Sequence, residues 1–201
     1  MDRFRSPRRS LAAAGIGALM LLAVGAAEGA APNLHSTDWN AVTLPGAVCG
    51  SSKPIHLVAG RAVVSSSRWP GVRRVLVSRE PKVAYGNFNG GGTGEAAVGV
   101  ICSNDSGTAA GDLAATQVVF GIDGSSLHTI GIVTPRHPAL PNLPPSLITV
   151  KLGLGAAIAT EFFYGPHDAD CCPSGRAKTY WLYIHGGLTA QPTKVTRQAS
   201  K

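Results

Sequence analysis

Apolar positions recur in short runs rich in Val, Ile, Thr, Tyr and Phe, broken by Gly, Pro and Asn. Beyond the first thirty residues almost no stretch keeps the period of a helix. The pattern predicts strands near 56–66, 72–78, 82–88, 95–102, 115–122, 127–134, 147–154, 159–165 and 178–185. Asp123-Gly124 falls at the tip of a hairpin between two of these runs. The runs follow one another too closely for helical crossovers, so the fold class is mainly β, an antiparallel meander or small β-sandwich. In the last run Tyr180, Leu182 and Ile184 fall on one face, and Thr179, Trp181, Tyr183 and His185 on the other. If both faces are covered, Trp181 is core; if one is open, Trp181, Tyr183 and His185 form a strip suited to sugar or lipid. Residues 134–146, "TPRHPALPNLPPS", hold five prolines and are expected to run as an extended surface loop.

Residues 1–30 change the picture, because a basic leader, "MDRFRSPRRS", precedes the apolar run "LAAAGIGALMLLAVGAA" and the small residues of "EGAA". This is the layout of a secretory signal peptide, with cleavage expected after Ala27 or Ala30; left uncleaved, the segment would anchor the chain. The expected organisation is then a signal helix over 1–30, a flexible segment carrying Cys49 over 31–52, a β-rich extracytoplasmic domain over 53–189, and a disordered tail over 190–201. Loss of the leader removes four arginines, Asp2 and Glu28, and lowers the formal charge from +7 to +5. The remaining basic excess gathers in Arg61, Arg68, Arg73, Arg74, Arg79 and Lys82, whose only acidic neighbour is Glu80. Such a stretch suits an anionic envelope surface. Nucleic acid is not an expected partner, since Trp69 is the single stacking aromatic among these cations.

Four cysteines follow the leader: Cys49, Cys102, Cys171 and Cys172. An exported chain meets oxidising conditions, so disulfides are expected. Adjacent residues have Cα atoms about 3.8 Å apart, below the roughly 4.4–6.8 Å that disulfides span. The expected pairing therefore ties Cys49 and Cys102 each to one member of the Cys171-Cys172 pair, in either order. The stretch "GPHDADCCPSG" also offers His167, Asp168, Asp170, Cys171 and Cys172 as metal ligands, but structural zinc sites space their cysteines by about two to four residues. Ser174, close to His167 and Asp168, is a candidate nucleophile as well as an ordinary turn serine. The chain carries no G-x-S-x-G and no H-E-x-x-H motif.

Residues 86–95, "GNFNGGGTGE", have the spacing of a calcium loop, with Asn87, Asn89, Gly91, Thr93 and Glu95 at the liganding positions. The stretch resembles the D-x-N-G-D-G-x-x-E loop of FG-GAP-like calcium repeats, with amides in place of two carboxylates. Glu95 alone carries charge, so the expectation is a glycine turn that binds no metal. More widely, the order of "YGNFNGGGTGEAAVGVIC", "VVFGIDGSSLHTIGIVTPR" and "DADCCPSGRAKTYWLY" resembles secreted or lipid-anchored actinobacterial envelope proteins similar to the LppP/LprE lipoproteins, without their lipid-anchor cysteine. That resemblance implies a small β-rich extracytoplasmic domain with no assigned reaction. The expected function is a secreted or periplasmic, non-enzymatic envelope protein, a binding or structural module for a protein, lipid or glycan, without a cofactor. A calcium- or metal-binding module and a secreted hydrolase are the alternatives.

Overall fold

A computed structural model describes residues 33–199, except 88, 89, 91–93, 105, 106, 139, 141, 142 and 144. The signal segment thus lies outside the described residues, as do Asn89, Gly91 and Thr93 of the calcium-like loop. The chain is mainly β and antiparallel throughout. Short strands β1 (Thr43–Leu44) and β2 (Ile55–His56) pair with each other. A first sheet follows as a meander of β3 (Arg61–Val64), β4 (Val75–Gly86), β5 (Glu95–Ser103), β6 (Asp112–Asp123) and β7 (Ser126–Val133). A second sheet runs β8 (Leu147–Gly153), β9 (Ala156–Phe163), β10 (Gly175–Ile184) and β11 (Gly187–Ala190), and β12 (Lys194–Arg197) pairs with the same edge of β10. The proline-rich connector 134–146 carries the chain from one sheet to the other and contains no strand among its described residues.

Strand β5 explains the layering. Its even positions Ala96, Val98, Val100 and Cys102 face an apolar cluster with Leu34, Trp39, Val42, Leu44 and Val48 of the N-terminal segment. On the opposite face Ala97 joins a second cluster, with Ile148, Val150, Ala157, Ala159 and Trp181 of the second sheet. A strand buried on both sides reads as an almost unbroken apolar run, as "EAAVGVIC" does. Each fully buried Val or Leu contributes about 1.5–3 kcal/mol, so residues 33–57 act as a third layer.

Several sequence expectations change at this point. The described part of the segment 31–52 is packed into the fold: Leu34, Trp39, Val42, Leu44, Val48 and Cys49 are buried, and Trp39 is held by its indole N–H donating to the Tyr85 hydroxyl at 3.0 Å. The run 56–66 is a hairpin, since Ala59 and Gly60 both take positive φ (50° and 77°) and Val58 and Arg61 exchange hydrogen bonds across them. The tail forms β12, because Thr193 docks its hydroxyl on that of Thr179 at 2.7 Å and turns the chain back along β10.

The cysteine pairing is also corrected. Cys49 bonds Cys102 directly, with Cα atoms 5.7 Å apart, and Cys171 bonds Cys172. Cys102 sits near the C-terminal end of β5 beneath the 3-10 turn Gly46–Cys49, whereas Cys171 and Cys172 lie exposed on the β9–β10 loop of the other sheet. Local strain in a neighbouring pair was the only term the sequence supplied; the separation between sheets overrides it.

Candidate functional site

The feature that sets β4 apart is a bulge. Arg79 pairs with Val100 and Val83 with Val98, so Glu80, Pro81 and Lys82 together stand opposite Gly99 alone. Proline has no N–H to donate, and at an interruption of the ladder that loss costs nothing. The Arg79 guanidinium fixes the bulge from within. Nη1 donates to the carbonyls of Glu80 (2.6 Å) and Pro81 (3.2 Å), while Nε and Nη2 donate to Asn40 Oδ1 (3.1 and 2.9 Å). Bulges commonly re-aim a side chain toward a site. Here the re-aimed side chain is Glu80.

The Glu80 carboxylate lies over Gly99, where a Cβ would run into it. Its Oε2 accepts from Gln117 Nε2 at 3.2 Å, and the same amide nitrogen donates to the Ile148 carbonyl at 3.1 Å, which joins the two sheets. Burial pushes the Glu80 carboxyl above its ordinary value, and the Gln117 hydrogen bond opposes part of that rise. Glu80 and Gln117 line a cleft of about 420 Å³ together with Pro81, Val83, Ala84, Thr149 and Val150, with Lys82 exposed at its rim. One carboxyl and one amide in a largely apolar recess can orient a ligand that carries an N–H or O–H group on an apolar body.

The residues singled out by sequence fall elsewhere. Trp181 is buried in the inter-sheet core, Tyr183 is half-buried beside it, and His185 occupies the exposed β10–β11 turn with φ of 50°. The strip for sugar or lipid therefore does not exist. In the glycine loop, Gly90 and Gly94 have φ of 76° and 70°, and Gly90 N–H donates to Asn87 Oδ1 at 2.8 Å, a turn closed by the asparagine itself. Glu95 is buried at the start of β5. Among the described residues no group of three or more His, Cys, Asp and Glu could hold a metal ion.

Ser174 donates its hydroxyl directly to Asp168 Oδ2 (2.9 Å), which also accepts the backbone N–H groups of Gly165 (2.6 Å) and Ser174 (2.8 Å). These bonds, Gly165 first, hold the Asp168 carboxyl below its ordinary value. The arrangement closes a loop, and His167 is exposed beside it. Arg61, Arg68, Arg73, Arg74 and Lys82 are exposed, whereas Arg79 is turned inward on the bulge.

Two acidic residues carry more of the structure than the sequence showed. Glu80 had one visible signal, an acid followed by proline in the polar gap "SREPK" between two apolar runs. Glu161, at the buried centre of β9, had none. Its Oε2 accepts the N–H groups of Arg136 (2.8 Å) and His137 (2.7 Å), and its Oε1 accepts the Thr179 hydroxyl (2.7 Å), so one carboxylate fastens the connector to the second sheet.

Comparison with known protein families, with curated proteins and with solved structures finds no match to this chain. Among the described residues no helix is long and apolar enough to cross a membrane. The two disulfides point to an oxidising, extracytoplasmic environment.

Proposed function

We propose that this protein is a non-enzymatic extracytoplasmic binding module of the cell envelope, and that its ligand enters the cleft at the β4 bulge. The observation that carries the reading is the Glu80 carboxylate, seated over Gly99, joined to Gln117 and pushed up in pKa by burial beside apolar walls. Perturbed carboxyls in recesses are a common mark of binding sites. The ligand class that fits is an amphiphile with a hydrogen-bond donor head, such as a protonated amine or a hydroxyl, and an apolar stem against Val83, Ala84 and Val150. The signal-like leader and the resemblance to envelope proteins support the location.

The test is a methyl-detected NMR titration with octylamine and, in parallel, octanoate. The expected result is a saturable shift of the Val83, Ala84 and Val150 methyls with the amine, weaker with the carboxylate and lost in Glu80→Ala. Equal response to both probes, or none, overturns the assignment.

A further inference from the structure

Among the described residues the outer face of the second sheet is left open. Strands β8, β9 and β10 bury alternate residues, among them Val150, Ala159, Ala177 and Trp181, and turn the residues between them outward. Register sets the outward residues in cross-strand rows. Arg176 stands opposite Phe162, Lys178 opposite Thr160, and Tyr180 opposite Ile158, which stands in turn opposite Lys151. Lys151, Arg176, Lys178 and Tyr180 are exposed, Tyr180 at 47 %.

The charge on this face has one sign. Strand β12 adds Lys194 directly opposite Lys178 and, past a shift in register, Arg197 opposite Arg176, and both are exposed. Like charges directly opposite on neighbouring strands are destabilising. The arrangement occurs twice along one strand pair, and no acid of the sheet answers it. The single Asp or Glu in β8–β12 is Glu161, which is buried on the other face and accepts from Thr179 and the connector. Asp168, on the β9–β10 loop, is taken up by that loop's own donors.

The cations also form a strip. Arg176 and Lys178 are two residues apart on β10, about 7 Å, and Lys194 and Arg197 run beside them. Tyr180 continues the line along β10 by two further residues. The Arg176 guanidinium lies 5.3 Å from the centroid of the Phe162 ring, which holds it against the sheet. Beside the cations Ile158 and Leu147 are only part-exposed, so the strip lacks the protruding apolar side chains that enter a lipid surface. A row of positive charges that ends in an exposed phenol ring suits an extended anionic chain with sugar rings to lay against it.

We propose that the outer face of the second sheet binds an acidic polysaccharide, laid along β10 and β12 with its anionic groups on Arg176, Lys178, Lys194 and Arg197 and a sugar ring against Tyr180. The surface shares none of these residues with the Glu80 cleft, and its test stands apart from the reading of that cleft.

The experiment is a calorimetric titration of the protein with polygalacturonate at low and at physiological ionic strength, with neutral dextran as control, and a parallel sedimentation assay with vesicles of anionic phospholipid. Saturable binding of polygalacturonate that weakens with salt is expected, and none of dextran. Lys178→Ser/Lys194→Ser should weaken it about tenfold, while Arg73→Ser/Arg74→Ser, which removes the same charge from the loop before β4, should change it by less than about twofold. Lys194→Glu alone should weaken binding as well, yet unfold no earlier than the parent, because it turns a like-charge pair into an opposite one. Equal loss in the two double variants would assign the binding to net charge and overturn the proposal. Absence of saturable binding to polygalacturonate would overturn it too, and vesicles bound in that case would make a membrane the partner of this face.

Discussion

Arg79 and Asn40 are 39 residues apart in sequence and joined by two hydrogen bonds, from Nε at 3.1 Å and Nη2 at 2.9 Å to the same amide oxygen. The pair ties the N-terminal layer to the β4 bulge, since the other end of the guanidinium holds the Glu80 and Pro81 carbonyls. Arg79→Ala should lower unfolding stability by about 2–3 kcal/mol, the scale of a charged hydrogen-bonding group removed from a part-buried site. Arg79→Lys should recover less than half of that, because an ammonium lacks the planar fork. Urea unfolding of the three proteins checks both statements, and full recovery by lysine would count against the clamp.

Glu80 gives the pH dependence a definite sign. Its folded-state carboxyl is raised by burial, so between its ordinary value and the raised one the folded state binds more protons than the unfolded state, and stability falls as pH rises through that window. Glu80→Gln should flatten this segment of the stability curve and be at least as stable as the parent at neutral pH. Denaturant melts taken at intervals from mildly acidic to neutral pH measure it; an unchanged slope in the variant would reassign the effect.

Asp168 runs the other way. Hydrogen bonds hold its carboxyl low, so its contribution is present above the ordinary value and lost as pH falls through the depressed one. Asp168→Asn should leave the fold intact and loosen the β9–β10 loop, seen as faster amide exchange at Gly165 and Ser174.

The two disulfides should separate under mild thiol. Cys171 and Cys172 are exposed, while Cys49 and Cys102 are fully buried, so non-reducing peptide mapping should find the adjacent pair reduced first and with little change in melting temperature. Replacing Cys49 and Cys102 by serine should cost about 4 kcal/mol, as a chain-entropy account of a link closing 53 residues gives. A peptide joining Cys102 to Cys171 or Cys172 would contradict the structure.

Glu161→Gln should cost about 2–3 kcal/mol, because an NH2 group cannot accept from the donors that now converge on the carboxylate. The connector 134–146 should then be cut faster in limited proteolysis than in the parent.

What could be read from the chain alone follows from which interactions are local. The strands from 95 to 185, the Asp123-Gly124 hairpin and a connector without strand among its described residues all rest on neighbouring residues, and the structure has them, whereas the runs 72–78 and 82–88 join into the single bulged strand β4. The Ala59-Gly60 turn was hidden because alanine rarely adopts positive φ. The N-terminal layer was hidden because Leu34, Trp39, Val42 and Val48 keep no regular period; they form one surface only against β5. The same holds for the site. Glu80 became legible when Gly99 and Gln117, from two other strands, came beside it.

The twice-covered β5 also sets a timetable for synthesis. The segment ending at Cys49 leaves the ribosome 53 residues ahead of the cysteine it bonds and ahead of the strand it must cover. Until β5 emerges, Leu34, Trp39, Val42 and Val48 have nothing to lie on, and Cys49 remains a reactive thiol able to join the wrong partner. The newborn chain therefore passes through an interval in which this early-made layer waits uncovered for β5, and a factor that shields apolar segments or reshuffles thiols would act on it there.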